Sequence, residues 1–127
     1  MSTRLALLAL VAFAVTLTGC GNSGEPCFPV TGTVKFEDGT PLTKGIIYFD
    51  SGEFSAKGGV EEDGRFTLTS YNPGDGAPDG QYSVYFSGDA RTQNLVAKEF
   101  CDEEGTPLSY QVEKKSNVFD IQVTKPK

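Results

Sequence analysis

The sequence contains no histidine and no tryptophan, and its 127 residues include only three cysteines and one methionine. Histidine is the usual general base and the commonest metal ligand, so its absence removes most hydrolytic and zinc-dependent mechanisms. The chain also has no Gly-x-Ser-x-Gly nucleophile turn and no glycine-rich phosphate loop that ends in lysine. These absences predict that the protein is not an enzyme and that it carries no cofactor.

Long apolar runs are also missing. The longest run, residues 5–17 (LALLALVAFAVTL), is interrupted only by Thr16. A transmembrane helix needs about 20 apolar residues, whereas a secretion signal has an apolar region of roughly 7–15. Arg4 precedes the run, as expected for such a signal. We therefore predict an exported protein whose first segment is removed and takes no part in the fold.

The residues after the apolar run specify the kind of signal. Leu17-Thr18-Gly19-Cys20 resembles the bacterial lipoprotein box. The resemblance implies a signal peptide over residues 1–19, cleavage before Cys20 and a diacylglyceryl group on the Cys20 thiol. It places the protein in the cell envelope, at the outer membrane and periplasm or at the cell surface. The alternative is an ordinary secreted protein that is cut nearby, for instance after Ala14, with Cys20 free.

The two remaining cysteines, Cys27 and Cys101, form an even pair once Cys20 is lipidated. An exported chain enters an oxidising compartment, where paired cysteines usually become disulfides. We therefore expect a Cys27–Cys101 disulfide. The alternative is two unpaired thiols, one buried and one exposed.

The charge of the chain restricts its partners. The formal net charge is −6 at pH 7, which disfavours nucleic acid and anionic lipid headgroups. The membrane is then a partner only through the lipid on Cys20. Envelope proteins and glycan remain as candidate partners.

Beyond a short polar tether, residues 20–28, the pattern is that of an all-β domain over residues 29–127. Apolar residues alternate with polar ones, as Val30, Val34 and Phe36 do, which indicates strands with one buried face. Seven segments are predicted as strands: 29–37, 45–52, 55–62, 65–71, 81–88, 108–115 and 119–125. Short strands at this spacing favour a β-sandwich. The irregular stretch 89–107 is expected to hold one helical turn near residues 95–100.

Four motifs in this order resemble a known family. They are VTGTVKFEDGTPLTKGIIYF (30–49), EDGRFTLT (62–69), GDGAPDGQYSV (74–84) and TPLSYQV followed by NVFDI (106–121). They resemble carboxypeptidase regulatory-like domains, above all those of small lipoproteins from planctomycete-type bacteria. The resemblance implies a single seven-stranded Greek-key β-sandwich of the transthyretin-like (prealbumin-like) kind. In the carboxypeptidases this domain accompanies a separate catalytic domain, so the resemblance implies no catalytic residues.

Three groups of residues are candidates for a role beyond the fold. Asn72, Asp75 and Asp79 offer oxygen ligands for calcium in a loop rich in glycine and proline, although Asp-Gly pairs also make turns for steric reasons alone. Tyr48 and Tyr85 point away from the core and could form an exposed aromatic patch. We expect them instead to lie under the second sheet or the long loop. Tyr82, after Gly80, is expected to reach backbone groups through its hydroxyl.

Together these patterns predict a non-catalytic cell-envelope lipoprotein. Its β-sandwich would be tethered to the membrane and would act as a binding or scaffolding module. The alternative is a surface module that binds calcium or glycan.

Overall fold

The computed structural model describes residues 24–87 and 94–127. The proposed signal peptide, Cys20, and the part of the long loop at residues 88–93 lie outside these ranges. Within them, no helix has the length and apolarity needed to cross a membrane.

The described chain is all-β, as its alternating pattern predicts. The strands are β1 Val30–Phe36, β2 Ile46–Asp50, β3 Ser55–Gly59, β4 Arg65–Thr67, β5 Gly80–Phe86, β6 Leu108–Val112 and β7 Asn117–Val123. Each of them overlaps a predicted segment. A short 3-10 turn, Lys98–Cys101, lies where one helical turn was expected.

The strands form two sheets, with the orders β4-β1-β7 and β3-β2-β5-β6. In the first sheet β1 pairs with β4 antiparallel and with β7 parallel. In the second sheet every neighbouring pair is antiparallel. Lys57 and Thr69 exchange two backbone hydrogen bonds, of 2.9 and 3.1 Å, and so link the β3 and β4 sides of the two sheets.

Aromatic rings pack between the two sheets. The ring centroid of Phe49 on β2 lies 6.2 Å from that of Phe66 and 5.9 Å from that of Phe119. Both of these residues are in the other sheet. Tyr110 on β6 lies 4.9 Å from Phe119. Among the residues that the structure describes, nineteen buried apolar residues make up this core, including Val30, Ile47, Leu68, Val84 and Ile121. The described body is therefore a two-layer, sandwich-like arrangement with one core.

The segment in front of β1 also packs on this body. Phe28 and Ala77 exchange two backbone hydrogen bonds, of 2.9 and 3.1 Å. Gly24 lies against the ring of Tyr71, because a Cβ added to Gly24 would be 2.8 Å from that ring. Residues 24–28, assigned to the tether from the sequence, thus lie on the loop of residues 70–77.

Candidate functional site

The expected disulfide is not present, since Cys27 and Cys101 are both free and partly buried. Cys27 precedes Phe28, whose bridge to Ala77 lies beside the start of β1. Cys101 follows Ala97, whose N–H donates to the Thr124 carbonyl just beyond the end of β7. Because β1 and β7 are parallel, the cysteines lie towards opposite ends of strands roughly 20 Å long. A disulfide requires Cα atoms within about 7 Å.

The surroundings of the two thiols do not activate them as nucleophiles. Burial, and after it the charge of Asp75, raises the pKa of Cys27, whose thiol also hydrogen-bonds with the Ser70 side chain. Burial raises the pKa of Cys101. A reactive cysteine needs a lowered pKa, because the thiolate is the nucleophile. Both residues are therefore structural in this fold.

The structure gives the Asp75 carboxylate a role in the loop backbone. One oxygen accepts the Ser70 N–H at 2.8 Å, and the other accepts the N–H groups of Tyr71 and Asn72 at 3.1 and 2.9 Å. Burial alone would raise the pKa of Asp75, but these bonds outweigh it and the pKa lies below its ordinary value. Turn chemistry accounts for this acidic residue without a metal.

The other two calcium candidates do not complete a site. Asn72 contacts Asp75 through the backbone, with its carbonyl accepting the Asp75 N–H at 3.0 Å. Asp79 is exposed. In residues 24–87 and 94–127, no group of three or more Asp, Glu, Cys or His side chains is arranged to hold a metal ion.

The predicted role of Tyr82 is confirmed. Its side chain is 1 % exposed, and its hydroxyl donates to the Pro78 carbonyl at 2.8 Å. Burial raises its pKa to about 12. This bond fixes the corner that leads into β5, so the Tyr82 hydroxyl serves the fold.

Tyr48 and Tyr85 form a stacked pair on the outer face of the four-stranded sheet. They are cross-strand partners in β2 and β5, with ring centroids 5.1 Å apart and planes 11° from parallel. The prediction that they lie under the second sheet is wrong, because Phe49 and Val84 occupy the inner face. The long loop does contribute one neighbour: burial and the Glu103 carboxylate raise the pKa of Tyr85 to about 12.

A polar groove adjoins this pair. Asp50, Ser83 and Ser109 lie in register across β2, β5 and β6, and the Gln81 side-chain amide donates to the Ser109 hydroxyl at 2.6 Å. The groove has a volume of about 360 Å³. We call it the sheet groove, and it is lined by Asp50, Ser51, Gly52, Gln81, Tyr82, Ser83, Glu103, Glu104 and Ser109.

The loop that closes one side of the sheet groove is held in place. The Thr106 hydroxyl donates to the Val84 carbonyl at 2.6 Å, and the Thr106 N–H donates to the Asp102 carbonyl at 3.0 Å. The groove therefore presents hydroxyl, amide and carboxylate groups beside an aromatic pair. The sequence did not reveal it, because the groove depends on strand register and on a distant loop.

Comparison with known proteins finds no matching family model and no matching curated protein. Among solved structures, the Bacillus anthracis TIE protein is similar, with a TM-score of 0.51 and 16% sequence identity. The similarity covers 80% of this chain, and the chain spans 17% of the length of the TIE protein. At this identity the similarity shows a β-rich fold and nothing about function.

Proposed function

We propose that this chain is a non-catalytic lipoprotein of the cell envelope. Its signal peptide, residues 1–19, is removed, the Cys20 thiol carries the lipid, and the β-domain acts as a binding or scaffolding module. The observation that carries the proposal is the position of the box Leu17-Thr18-Gly19-Cys20. It follows the apolar run directly, so that a basic residue, an apolar run and the box occur in the order expected of a signal peptide.

Membrane fractionation tests the anchor. The full chain is expressed in a bacterial host that processes lipoproteins, and the membrane and soluble fractions are compared for Cys20→Ala and Cys27→Ser. The proposal predicts that Cys20→Ala releases the protein, whereas Cys27→Ser stays in the membrane fraction. Two or three acyl chains hold a protein firmly, because each buried methylene adds about 0.8 kcal/mol of membrane affinity. Retention of Cys20→Ala would contradict the proposal.

We also infer that the two sheets form a Greek-key sandwich of the transthyretin-like kind, as the resemblance to carboxypeptidase regulatory-like domains implies. The strand orders β4-β1-β7 and β3-β2-β5-β6 support this inference. They require the chain to change sheets after β1, β3, β4 and β6, and crossovers between sheets are typical of such sandwiches. An experimental structure of residues 21–127 would test the connections directly.

Glycan is the better-supported ligand class if the module binds a small molecule. The stacked Tyr48–Tyr85 pair beside the sheet groove favours it, because aromatic faces and hydroxyl-binding side chains are combined there. Soluble Cys20→Ala protein is screened against an array of bacterial surface glycans. Binding should be lost in the additional variant Tyr85→Ala and retained in Tyr71→Ala, which alters an exposed tyrosine that does not line the groove. Equal glycan binding by both variants would exclude the sheet groove as the glycan-binding site.

A further inference from the structure

The first described residues are fixed on one loop of the body. Gly24 lies on the Tyr71 ring, the Cys27 thiol lies near Ser70 and Asp75, which both act on its pKa, and Phe28 is bridged to Ala77. The loop is itself held by the Asp75 carboxylate, which accepts three backbone N–H groups. The path of the chain is therefore set as far upstream as Gly24.

The length of the remaining tether is set by covalent geometry. Three residues, 21–23, separate Cys20 from Gly24, so four residue-to-residue steps join them, and a fully extended chain spans at most about 3.6 Å per step. A lipid on Cys20 thus keeps Gly24 within roughly 14 Å of the anchored residue. This distance is shorter than the roughly 20 Å length of β1, so the end of the body that carries Gly24 stays close to the bilayer.

The surface beside Gly24 has the chemistry of a membrane interface. Tyr71 is 51% exposed although it is a large aromatic residue, and tyrosine prefers the boundary between lipid and water. The turn between β6 and β7 lies at the same end, because the Asn117 N–H donates to the Pro29 carbonyl at 2.8 Å. This turn carries the exposed Lys114 and Lys115, of which Lys115 is ion-paired with Glu113 at 3.2 Å. We call Tyr71, its loop neighbours 72–74 and this turn the tether face.

We propose that the tether face rests on the bilayer surface, with Tyr71 at the lipid–water boundary. The proposal depends on the lipid at Cys20. It also gives the domain one orientation: the turn after β1, with Asp38, and the chain after β7, with Lys125, point away from the membrane. These two segments are joined by an ion pair of 3.0 Å, which marks the distal end. A protein partner on the tether face is the competing occupant.

Depth-dependent fluorescence quenching tests the orientation. The chain has no tryptophan, so a single introduced tryptophan reports the depth of its own position. Tyr71→Trp places a single fluorophore on the tether face. Gln122→Trp is the matched control, since Gln122 is exposed, neutral and paired with Lys35 near the far end of β1. Each lipidated full-length variant is purified from membranes and reconstituted into phosphatidylcholine vesicles, with and without brominated phosphatidylcholine.

The proposal predicts that brominated lipid quenches the Tyr71→Trp fluorophore several-fold more strongly than the Gln122→Trp fluorophore. It also predicts that vesicle binding shifts the emission maximum of the Tyr71→Trp variant to shorter wavelength and leaves that of the Gln122→Trp variant unchanged. Vesicle-bound protein with equal quenching at both sites would overturn the orientation and leave the lipid anchor standing. Weak quenching at both sites, together with a protein crosslinked to Tyr71 of the wild type in the bacterial membranes before purification, would assign the face to a protein partner. Protein that never joins the vesicles would overturn both proposals.

Discussion

At the scale of single residues, Gly32 shows how a missing side chain leaves room for neighbouring residues within one sheet. It lies on the inner side of β1, where an added Cβ would be 2.8 Å from the Phe66 ring and would also collide with the Phe119 carbonyl oxygen. We predict that Gly32→Ala lowers the free energy of unfolding by about 1–3 kcal/mol, the usual range for overpacking. Urea unfolding of the soluble Cys20→Ala form measures it.

Gly59 provides the matched control for this substitution. It is also a strand glycine, but an added Cβ would meet nothing within 4 Å. Gly59→Ala should therefore leave the free energy of unfolding unchanged or raise it slightly, because it restricts the unfolded chain. If both alanine variants unfold alike, the close approach at Gly32 does not govern the packing.

A second residue-scale prediction concerns Asp75, whose carboxylate joins three backbone N–H groups. Asp75→Ala should cost about 1–2 kcal/mol, as the loss of a helix cap does, and added calcium should not change the melting temperature of the wild type. Asp79→Ala, at an exposed position, should cost almost nothing. A melting temperature that rises with calcium and falls with chelator would restore the metal hypothesis.

The same carboxylate makes stability dependent on pH in a defined direction. The pKa of Asp75 is lowered in the folded protein, so its contribution is complete above the ordinary value of about 3.9. It is lost as the pH falls through the folded pKa. The difference in stability between wild type and Asp75→Ala should thus be constant near neutrality and should shrink below about pH 4. Titrating urea unfolding against pH tests this, and a difference that grows in acid would reverse the assignment.

At the scale of secondary structure, the alternation of apolar residues predicts which face of each strand is buried. Phe66, on the inner face of β4, is 2% exposed, and its ring packs on Phe49. Phe66→Ala should cost about 3–5 kcal/mol, whereas Thr67→Ala, on the opposite face, should cost far less. The urea midpoints of the two variants test this assignment of the buried face. Similar midpoints would mean that the strand faces are assigned the wrong way round.

The separation of the cysteines also belongs to this scale, because it follows from the direction of β1 and β7. Alkylation of the unreduced, denatured Cys20→Ala protein should add two labels, one on Cys27 and one on Cys101. The melting temperature should be the same with and without reductant. A fall in melting temperature on reduction, with no labels before it, would show that the disulfide forms after all.

At the scale of the whole molecule, much of the all-β fold could be predicted because the strands carry period-two alternation and Asp-Gly turns such as Asp63-Gly64. Whether the two cysteines pair could not be predicted from the sequence, since this depends on where a long loop passes the end of β7. The packing of residues 24–28 was also missed, because Phe28 looks like part of a tether until Ala77 is placed beside it.

The candidate site was less predictable for a related reason. The outward direction of Tyr48 and Tyr85 follows from alternation alone and was predicted correctly. Their stacking and the adjacent groove require the register of β2 against β5 and the position of Glu103. Asp75 looked like a calcium ligand because a sequence shows which carboxylates are present but not which backbone N–H groups they accept.

The most direct test of the account is the intact mass of full-length protein extracted from bacterial membranes. The account predicts a chain that begins at Cys20, ends at Lys127 and carries a diacylglyceryl group, with Cys27 and Cys101 as free thiols. A membrane-bound chain that retains residues 1–19, or one that begins elsewhere with an unmodified Cys20, would contradict it.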